Sequence, residues 1–296
     1  MELNKLAIFT PTYNRCTELE KLYESLCNQS NKKFDWFIID DGSEDNTKSV
    51  VNTWIEEKKI DIHYFYKENG GKHTAFNYAL GKVDKFLNVC IDSDDTVAEY
   101  MVERILRDFE FIKDNTSIIG LAYPNAYGRI EFKVEKNSKG KVVNVWNISS
   151  EIKGIKEAVR VFKPRSLENF RFPEIKGENF FPVEFLFTQI SEKGKLLYFP
   201  YPLVYGDYQN DGITKNIGNN MLNNHQGYFL SQNKVYDYVK KNRVRNRLKL
   251  NGKIVSQLMA LNMALKRPLF MEIPKSLFRI PAIPFSIFYY FKRYHH

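Results

Sequence analysis

The amino-acid sequence predicts an α/β protein built around a mostly parallel sheet. Strand and helix patterns alternate over roughly the first hundred residues, which is typical of right-handed βαβ units. Clusters of polar residues follow the first, second and fourth predicted strands. The composition, with 43% hydrophobic and 27% charged residues in 296, is that of a folded globular protein. Ligands of such sheets bind outside the carboxyl ends of the strands, so the clusters predict a binding site there.

Hydrophobic periodicity assigns the elements in order. Short apolar or alternating runs predict strands over residues 6–10, 36–39, 62–66 and 86–91. Apolar residues at helical spacing predict helices over residues 17–28, 50–55, 74–80 and 97–112. Beyond about residue 116 the pattern loosens. We expect a strand over 118–123, a β-rich excursion over 130–145, a helix over 183–190 and a polar, turn-rich stretch over 206–218.

The positive charge of the chain is concentrated at its C-terminal end. The formal net charge is +9 with a pI near 9.2. Residues 234–296 hold 14 Lys and Arg against 2 acidic residues, whereas the rest of the chain holds 30 against 33. Because the residues before 234 are slightly acidic and only the C-terminal tail is basic, the charge distribution argues against nucleic acid as the partner of the whole protein.

Cysteine usage and hydropathy predict the compartment. Cys16, Cys27 and Cys90 are odd in number and lack metal-binding spacing, which favours a reducing compartment. No basic region precedes a long apolar stretch at the start, and no 18 consecutive residues are apolar. We therefore expect a cytoplasmic protein, and attachment to a membrane surface stays open.

The strongest candidate for metal binding is Asp92-Ser93-Asp94-Asp95, which follows the fourth strand. Carboxylates this close repel one another, and a divalent cation would remove the repulsion. Oxygen ligands favour Mg²⁺ or Mn²⁺, which commonly use one or two carboxylates together with water and a diphosphate. The alternative is an acidic helix N-terminus, in which Asp94 or Asp95 caps a helix from residue 97.

Two further clusters could contact a nucleotide. Asp40-Asp41-Gly42-Ser43 is either a plain turn or a strand end whose carboxylate accepts a hydrogen bond from a base or ribose. Asn69-Gly70-Gly71-Lys72-His73 is not a Walker A loop. The first strand carries no GxGxxG turn, so a nicotinamide or flavin site is unsupported. Its glycines would admit a ligand to the backbone and Lys72 could meet phosphate, or it is an ordinary loop before a helix.

Two carboxylates lie in an apolar context further along the chain. Glu178 and Glu184 flank Phe180-Phe181-Pro182. Burial raises the pKa of a carboxyl group and suits it to general-base work. The alternative is a helix N-terminal acid that interacts with the helix dipole.

Taken together, these motifs resemble the family 2 glycosyltransferases with the GT-A fold. The resembling segments are 9–15 (FTPTYNR), 38–43 (IIDDGS), 69–72 (NGGK) with Ala75 and Asn77, and 91–95 (IDSDD). The resemblance covers about the first 115 residues well and continues more weakly to about Asp211. It implies a Rossmann-like nucleotide-binding mixed sheet flanked by helices, followed here by a basic helical and aromatic C-terminal extension.

The resemblance also implies a nucleotide-sugar donor, with UDP the commonest nucleotide in the family, and Mn²⁺ or Mg²⁺ as cofactor. Tyr13 and Asp40 would lie by the base, Lys72 near base or phosphate, and Asp92 at the ribose or donor sugar. The implied donor-binding residues are Pro11, Thr12, Tyr13, Arg15, Asp40, Lys72, Asp92 and Ser93. Asp94 would bind the metal that bridges the diphosphate, with Asp95 beside it.

The catalytic base implied by the resemblance is Glu184 first and Glu178 second. Many family members carry Glu-Asp where this chain has Glu178-Asn179, and a related Pro-Glu pattern is interrupted here by Val183. The base would deprotonate an acceptor hydroxyl, which attacks the anomeric carbon with inversion. Asp211 and Gly212 belong to a segment that resembles a closing loop, or they form a polar surface turn.

The C-terminal tail combines a cationic run at 240–249 with an apolar, aromatic stretch at 280–291. This pairing predicts an interfacial anchor on anionic lipid. The alternative is a segment packed on the catalytic domain.

We therefore expect a nucleotide-sugar-binding half over 1–115, an acceptor half with the base over 116–215, and a basic extension over 216–296. The predicted function is transfer of a sugar to a glycan or lipid-linked glycan during bacterial surface polysaccharide synthesis, at the inner face of the membrane. A non-catalytic nucleotide-binding scaffold and a sugar nucleotidyltransferase remain as alternatives.

Overall fold

The computed structural model describes residues 5–83, 85–127, 140–155, 157–206, 217–242, 244 and 246–294. By packing, the chain divides into two compact units. The first comprises Met1–Arg171 and Gln189–Tyr208, and the second comprises Phe172–Thr188 and Gln209–His296. The boundaries expected near residues 115 and 215 divide the chain by role, and they stay a prediction.

The first unit is built on a mixed sheet. Its strands are β1 (Leu6–Thr12), β2 (Phe34–Asp40), β3 (Asp61–Tyr66), β4 (Leu87–Cys90), β5 (Asp95–Val97), β6 (Ile118–Tyr127), β7 (Lys141–Asn144), β8 (Ala158–Phe162), β9 (Lys195–Tyr198) and β10 (Val204–Gly206). The order is β3-β2-β1-β4-β8-β6-β10-β5, with β9 beside β6 and β7 beside β9. The first four strands are mutually parallel, and β8 joins them antiparallel.

The first unit also contains the helices that connect these strands. They are α1 (Cys16–Cys27), α2 (Thr47–Glu57), α3 (Lys72–Val83), α4 (Met101–Phe109) and α5 (Ile148–Glu151). Leu19, Leu22 and Leu26 recur on one face of α1 and are fully buried. The Tyr23 ring of α1 stacks on Trp54 of α2, with centroids 4.2 Å apart. Burial of these helix faces against strands such as β2 forms the core, as the hydrophobic periodicity predicted.

One predicted helix is partly wrong. The helix expected over 97–112 is α4, which begins only at Met101 and ends at Phe109. Asp95–Val97 instead forms β5, antiparallel to β10. The strand exists because Val204–Gly206, more than a hundred residues away, supplies its hydrogen-bonding partner. Local periodicity carries no information about such a partner.

The second unit is helical. It contains α7 (Ile217–Asn223), α8 (His225–Lys241), α9 (Arg247–Ala264), α10 (Ile283–Tyr294) and most of α6 (Glu184–Ile190).

The stretch of the first unit expected to be β-rich, residues 130–145, is only partly described. Lys141–Asn144 is a strand, and residues 130–139 lie outside the described ranges. Every helix in the described ranges is too short or too polar to cross a bilayer.

Candidate functional site

The carboxyl ends of the first three strands meet at one edge of the sheet. Thr12 pairs with Asp40, and Asp40 pairs with Tyr66. The backbone ladder continues past the strands, because Asp41 N donates to Thr12 O at 2.8 Å and Lys67 N donates to Asp40 O at 2.9 Å. The register therefore brings three of the predicted loops together, as expected for parallel strands.

Asp40 is fully buried at this edge. Its carboxylate accepts hydrogen bonds from the Tyr64 hydroxyl at 2.5 Å and from Ser43 N at 2.7 Å. Burial, together with Asp40, raises the pKa of Tyr64 and keeps the phenol a donor. Asp40 thus shapes the loop that follows β2.

Asp41 holds the glycine loop in place, a role that the motif search missed. Its carboxylate is buried and accepts the backbone N–H groups of Gly70 at 3.1 Å and Gly71 at 2.7 Å. Lys67 Nζ donates to it at 2.5 Å. Loop amides bonded to a buried, charged acceptor are strongly positioned. These bonds fix the loop that opens α3 and presents Lys72.

The loop after β1 is tied to the loop after β2. Asn14 has a positive φ of 49°, and its N–H donates to Ser43 Oγ at 2.9 Å. Asn14 Oδ1 in turn accepts Glu44 N at 2.8 Å. Tyr13, the residue expected to lie by the base, is 46% exposed beside this junction. Thr12 Oγ1 is buried without a hydrogen-bond partner among the described residues, which leaves it able to bond a ligand.

The acidic cluster is paired with two of the predicted donor-binding cations. Lys72 Nζ lies 2.7 Å from both carboxylate oxygens of Asp92. Arg15 Nη1 donates to Asp94 Oδ2 at 3.1 Å. Burial would lower the pKa of Lys72, but the charge of Asp92 raises it, so the ammonium stays charged. The structure therefore gathers residues from all four resembling segments.

Asp95 in this cluster has a raised pKa. Burial, followed by the charges of Asp92 and Asp94, raises the pKa of Asp95 to about 8. A divalent cation would relieve this repulsion, and hard oxygen donors suit Mg²⁺ and Mn²⁺, so the residues fit such an ion. Within the described ranges, no three His, Cys, Asp or Glu side chains already converge as a metal cluster. Asp94 and Asp95 would therefore supply two carboxylates to such an ion, and its other ligands would come from outside the chain.

The alternative that Asp94 or Asp95 caps a helix is wrong. α4 begins at Met101 with Tyr100 as its N-cap residue and no side-chain capping bond. Asp95 is a strand residue paired with Gly206. The acidic cluster therefore does not cap α4.

Glu157 is a further acidic residue near the site. It precedes β8, which pairs antiparallel with β4 and so approaches the end of β4 that leads to Asp92. Burial, followed by the charge of Asp92, raises the pKa of Glu157. An isolated Glu before a strand carries no sequence signal, so only the sheet topology reveals this neighbour.

The second unit contains both candidate bases, in different settings. Glu178 accepts the backbone N–H groups of Gln226 and Gly227, each at 2.8 Å, through its two oxygens. It therefore caps the N-terminus of α8. Glu184, the first residue of α6, is exposed, and its carboxylate accepts no hydrogen bond from another described residue. Asp211 and Gly212, the possible closing loop, lie outside the described residues.

Solved structures share this architecture. A crystal structure of TarS residues 1–349 from S. aureus in complex with UDP matches with a TM-score of 0.61 at 14% identity, over 98% of this chain and 89% of that chain. The mannosyltransferase PcManGT from Pyrobaculum calidifontis, in complex with GDP-Man and Mn²⁺, matches with a TM-score of 0.54 at 17% identity, over 96% and 75%. The fold is the GT-A fold, which confirms the predicted fold class.

Sequence comparison gives the family. The profile of glycosyl transferase family 2 matches residues 7–157, about half of the chain. The chain belongs to glycosyl transferase family 2 and is a glycosyltransferase. A relative from Campylobacter jejuni, named GalNAc(5)-diNAcBac-PP-undecaprenol beta-1,3-glucosyltransferase, is 29% identical over 243 residues, or 76% of this chain and 72% of that protein.

Proposed function

We propose that this glycosyltransferase moves a sugar from a UDP-sugar to a hydroxyl group of a lipid-linked glycan, with inversion at the anomeric carbon. One observation carries the proposal: the sheet edge gathers Thr12, Asp40, Lys72 and Asp92 within the part of the chain that matches the family. These residues come from four segments that are far apart in the sequence, at or just beyond the ends of strands or at the start of a helix. Their convergence supports a single donor site.

The donor would occupy the loops after β1, β2 and β4. Tyr13 offers an exposed ring for stacking a base, and the unpartnered Thr12 Oγ1 can bond it. Lys72 and Arg15 supply two positive charges for the diphosphate. UDP is favoured because the TarS crystal contains UDP, whereas the GDP-Man of PcManGT makes GDP the alternative nucleotide for the test.

Asp94 and Asp95 would hold Mn²⁺ or Mg²⁺. When bound, the ion acts as a Lewis acid that stabilises the charge developing on the departing diphosphate. Lys72 and Arg15 pair with Asp92 and Asp94 in the structure described here. They can therefore transfer from these carboxylates to phosphate oxygens, and an ion held by Asp94 would then replace the positive charge of Arg15.

Glu184 is the proposed catalytic base. Its carboxylate accepts no hydrogen bond from another described residue, and it is exposed, so it can accept a proton from an acceptor hydroxyl. Both oxygens of Glu178 already bond the N-terminus of α8, which favours a structural role for that residue. The hydroxyl oxygen then forms the new bond to the anomeric carbon as the bond to the diphosphate breaks.

The acceptor and the location follow the same comparison. The Campylobacter relative is named for a glycan on PP-undecaprenol, so we propose a lipid-linked glycan as acceptor for this chain. A lipid carrier would place the protein in the cytoplasm, at the inner face of the membrane.

A thermal-shift titration tests the donor site. UDP, GDP, ADP and their sugars would be added with and without Mn²⁺, and a ligand at 100 times its Kd should stabilise the protein by about 2.7 kcal/mol. We expect a shift with UDP and one UDP-sugar that increases with Mn²⁺ and disappears in Asp94→Ala. Asp61→Ala, an exposed acidic residue on β3, is the matched control. Folded protein that responds to no nucleotide would overturn the proposal and favour the scaffold alternative.

A further inference from the structure

The C-terminal helix α10 has one packed face and one open face. Ala282 and Ser286 are buried, and Ser286 Oγ lies 4.0 Å from Met263 Sδ of α9. The sequence left two alternatives for this segment, packing on the protein or contact with lipid. The structure shows that one face packs, and it leaves the other face available for a partner.

The open face is strongly apolar. In α10 and in the segment just before it, five apolar side chains are more than half exposed, and we call them the apolar stripe: Leu277 (96%), Ile280 (76%), Phe285 (63%), Phe288 (59%) and Phe291 (56%). The three phenylalanines are spaced three residues apart, so they lie on one side of α10. Soluble surfaces seldom expose a contiguous apolar patch of this kind unless it binds a partner.

Positive charge borders the stripe at both ends. Lys292 Nζ lies 5.8 Å from the centroid of the Phe288 ring. At the other end, Lys275 and Arg279 flank Leu277 in the chain. Residues 246–294 carry nine Lys and Arg, and the one acidic residue there, Glu272, pairs with Arg267 at 3.1 Å.

We infer that the apolar stripe docks α10 flat on a bilayer that contains anionic phospholipid. The phenylalanine rings enter the boundary between headgroups and acyl chains, and the bordering cations meet phosphate groups. A second copy of this chain is a poorer occupant, since it would bring two cationic borders together. With 12 residues, α10 is about 18 Å long, so it lies in the interface and does not span the bilayer.

Vesicle co-sedimentation of the full chain tests this inference without donor or acceptor. The wild type should bind vesicles of phosphatidylcholine with phosphatidylglycerol, bind pure phosphatidylcholine less, and dissociate as salt rises to about 0.5 M. Combining Phe285→Ser, Phe288→Ser and Phe291→Ser should lower the partition coefficient at least about tenfold. Phe111→Ser is the matched control, because Phe111 is 69% exposed but belongs to the first unit.

Equal partitioning of the triple variant and the wild type would overturn the inference. Folded wild-type protein that does not bind anionic vesicles would overturn it too. Sedimentation velocity distinguishes the remaining occupant. A wild-type dimer that the triple substitution dissociates, without vesicle binding, would assign the stripe to self-association. Because the assay needs no nucleotide, its failure would leave the proposed sugar transfer untouched.

Discussion

Asp41 Oδ2 accepts the backbone N–H of Gly71 at 2.7 Å, and this bond joins the end of β2 to the start of α3. Gly70 N and Lys67 Nζ bond the other oxygen of the same carboxylate. Lys72, the next residue after Gly71, pairs with Asp92 at 2.7 Å. The buried Asp41 side chain thus positions Lys72, the cation of the proposed donor site.

Removal of the Asp41 carboxylate should loosen this loop. Asp41→Ala leaves two amides and an ammonium group without their acceptor, which should cost about 2–3 kcal/mol of unfolding free energy. We expect donor affinity to fall about tenfold or more, measured by calorimetric titration. Glu44→Gln, an exposed neighbour, should change neither value. An unchanged donor Kd in Asp41→Ala would show that the loop holds its position without this carboxylate.

Gly42 should tolerate no side chain. Its φ is +87°, and a Cβ there would stand 2.8 Å from Asn69 N, so Gly42→Ala adds a clash to the backbone strain. Gly154 has the same φ of +87° with nothing within 4 Å, so Gly154→Ala isolates the strain, about 1–2 kcal/mol. Urea unfolding should show that Gly42→Ala costs at least about 1 kcal/mol more than Gly154→Ala. Equal losses would mean that the 69–71 loop moves aside freely.

One pair of variants should distinguish the roles of the two candidate bases, Glu184 and Glu178. Glu184→Gln should keep donor binding and lower turnover about 10²-fold or more, because the amide cannot accept the acceptor proton. Glu178→Gln should keep most of the turnover and lose about 1 kcal/mol of stability, because an uncharged cap interacts less with α8. Turnover from a radiolabelled donor and thermal unfolding supply both readouts. Near-normal turnover of Glu184→Gln would remove Glu184 from the mechanism.

A buried carboxyl group in the first unit should make stability depend on pH. Asp108 accepts hydrogen bonds from the hydroxyls of Tyr123 and Tyr201, and Arg104 Nε lies 3.7 Å away. Burial raises the pKa of Asp108, although the Tyr201 bond and the Arg104 charge act in the opposite direction. The folded state therefore holds this proton more tightly than the unfolded state. Its stabilising effect is full below about pH 3.9 and is lost as the pH rises through the native pKa.

Asp108→Asn should remove this pH dependence. The advantage of the wild type over Asp108→Asn in unfolding free energy should shrink as the pH rises from about 4 to 7. Asp108→Ala should be less stable by about 3 kcal/mol, since it leaves the hydroxyls of Tyr123 and Tyr201 without their acceptor and removes the negative charge beside Arg104. Denaturant titrations at several pH values measure both effects. If the unfolding free energies of the wild type and Asp108→Asn changed in parallel with pH, Asp108 would not be the source of the pH dependence.

Sequence reasoning identified the candidate site at the sheet edge because the information for it is local. Apolar periodicity predicts strands such as Leu6–Thr12, and the parallel direction of strands in βαβ units then places their carboxyl ends on one edge. The structure accordingly gathers Thr12, Asp40, Lys72 and Asp92, all named from motifs alone. Asp41 stood in the same motif, but its bonds to Gly70 and Gly71 depend on how two loops meet.

By itself, the sequence determined the fold class, the family and the residues that gather at the sheet edge, because short-range patterns and residue chemistry encode them. Only the tertiary structure decided between alternatives that depend on distant partners. The pairing with Val204–Gly206 made Asp95–Val97 a strand and removed the helix-cap alternative for Asp95. Backbone N–H groups at the start of α8 bond both carboxylate oxygens of Glu178. The carboxylate of Glu184, in contrast, accepts no hydrogen bond from the described residues. Contacts between segments remote in the chain have no local signature, so no pattern in the sequence could have revealed them.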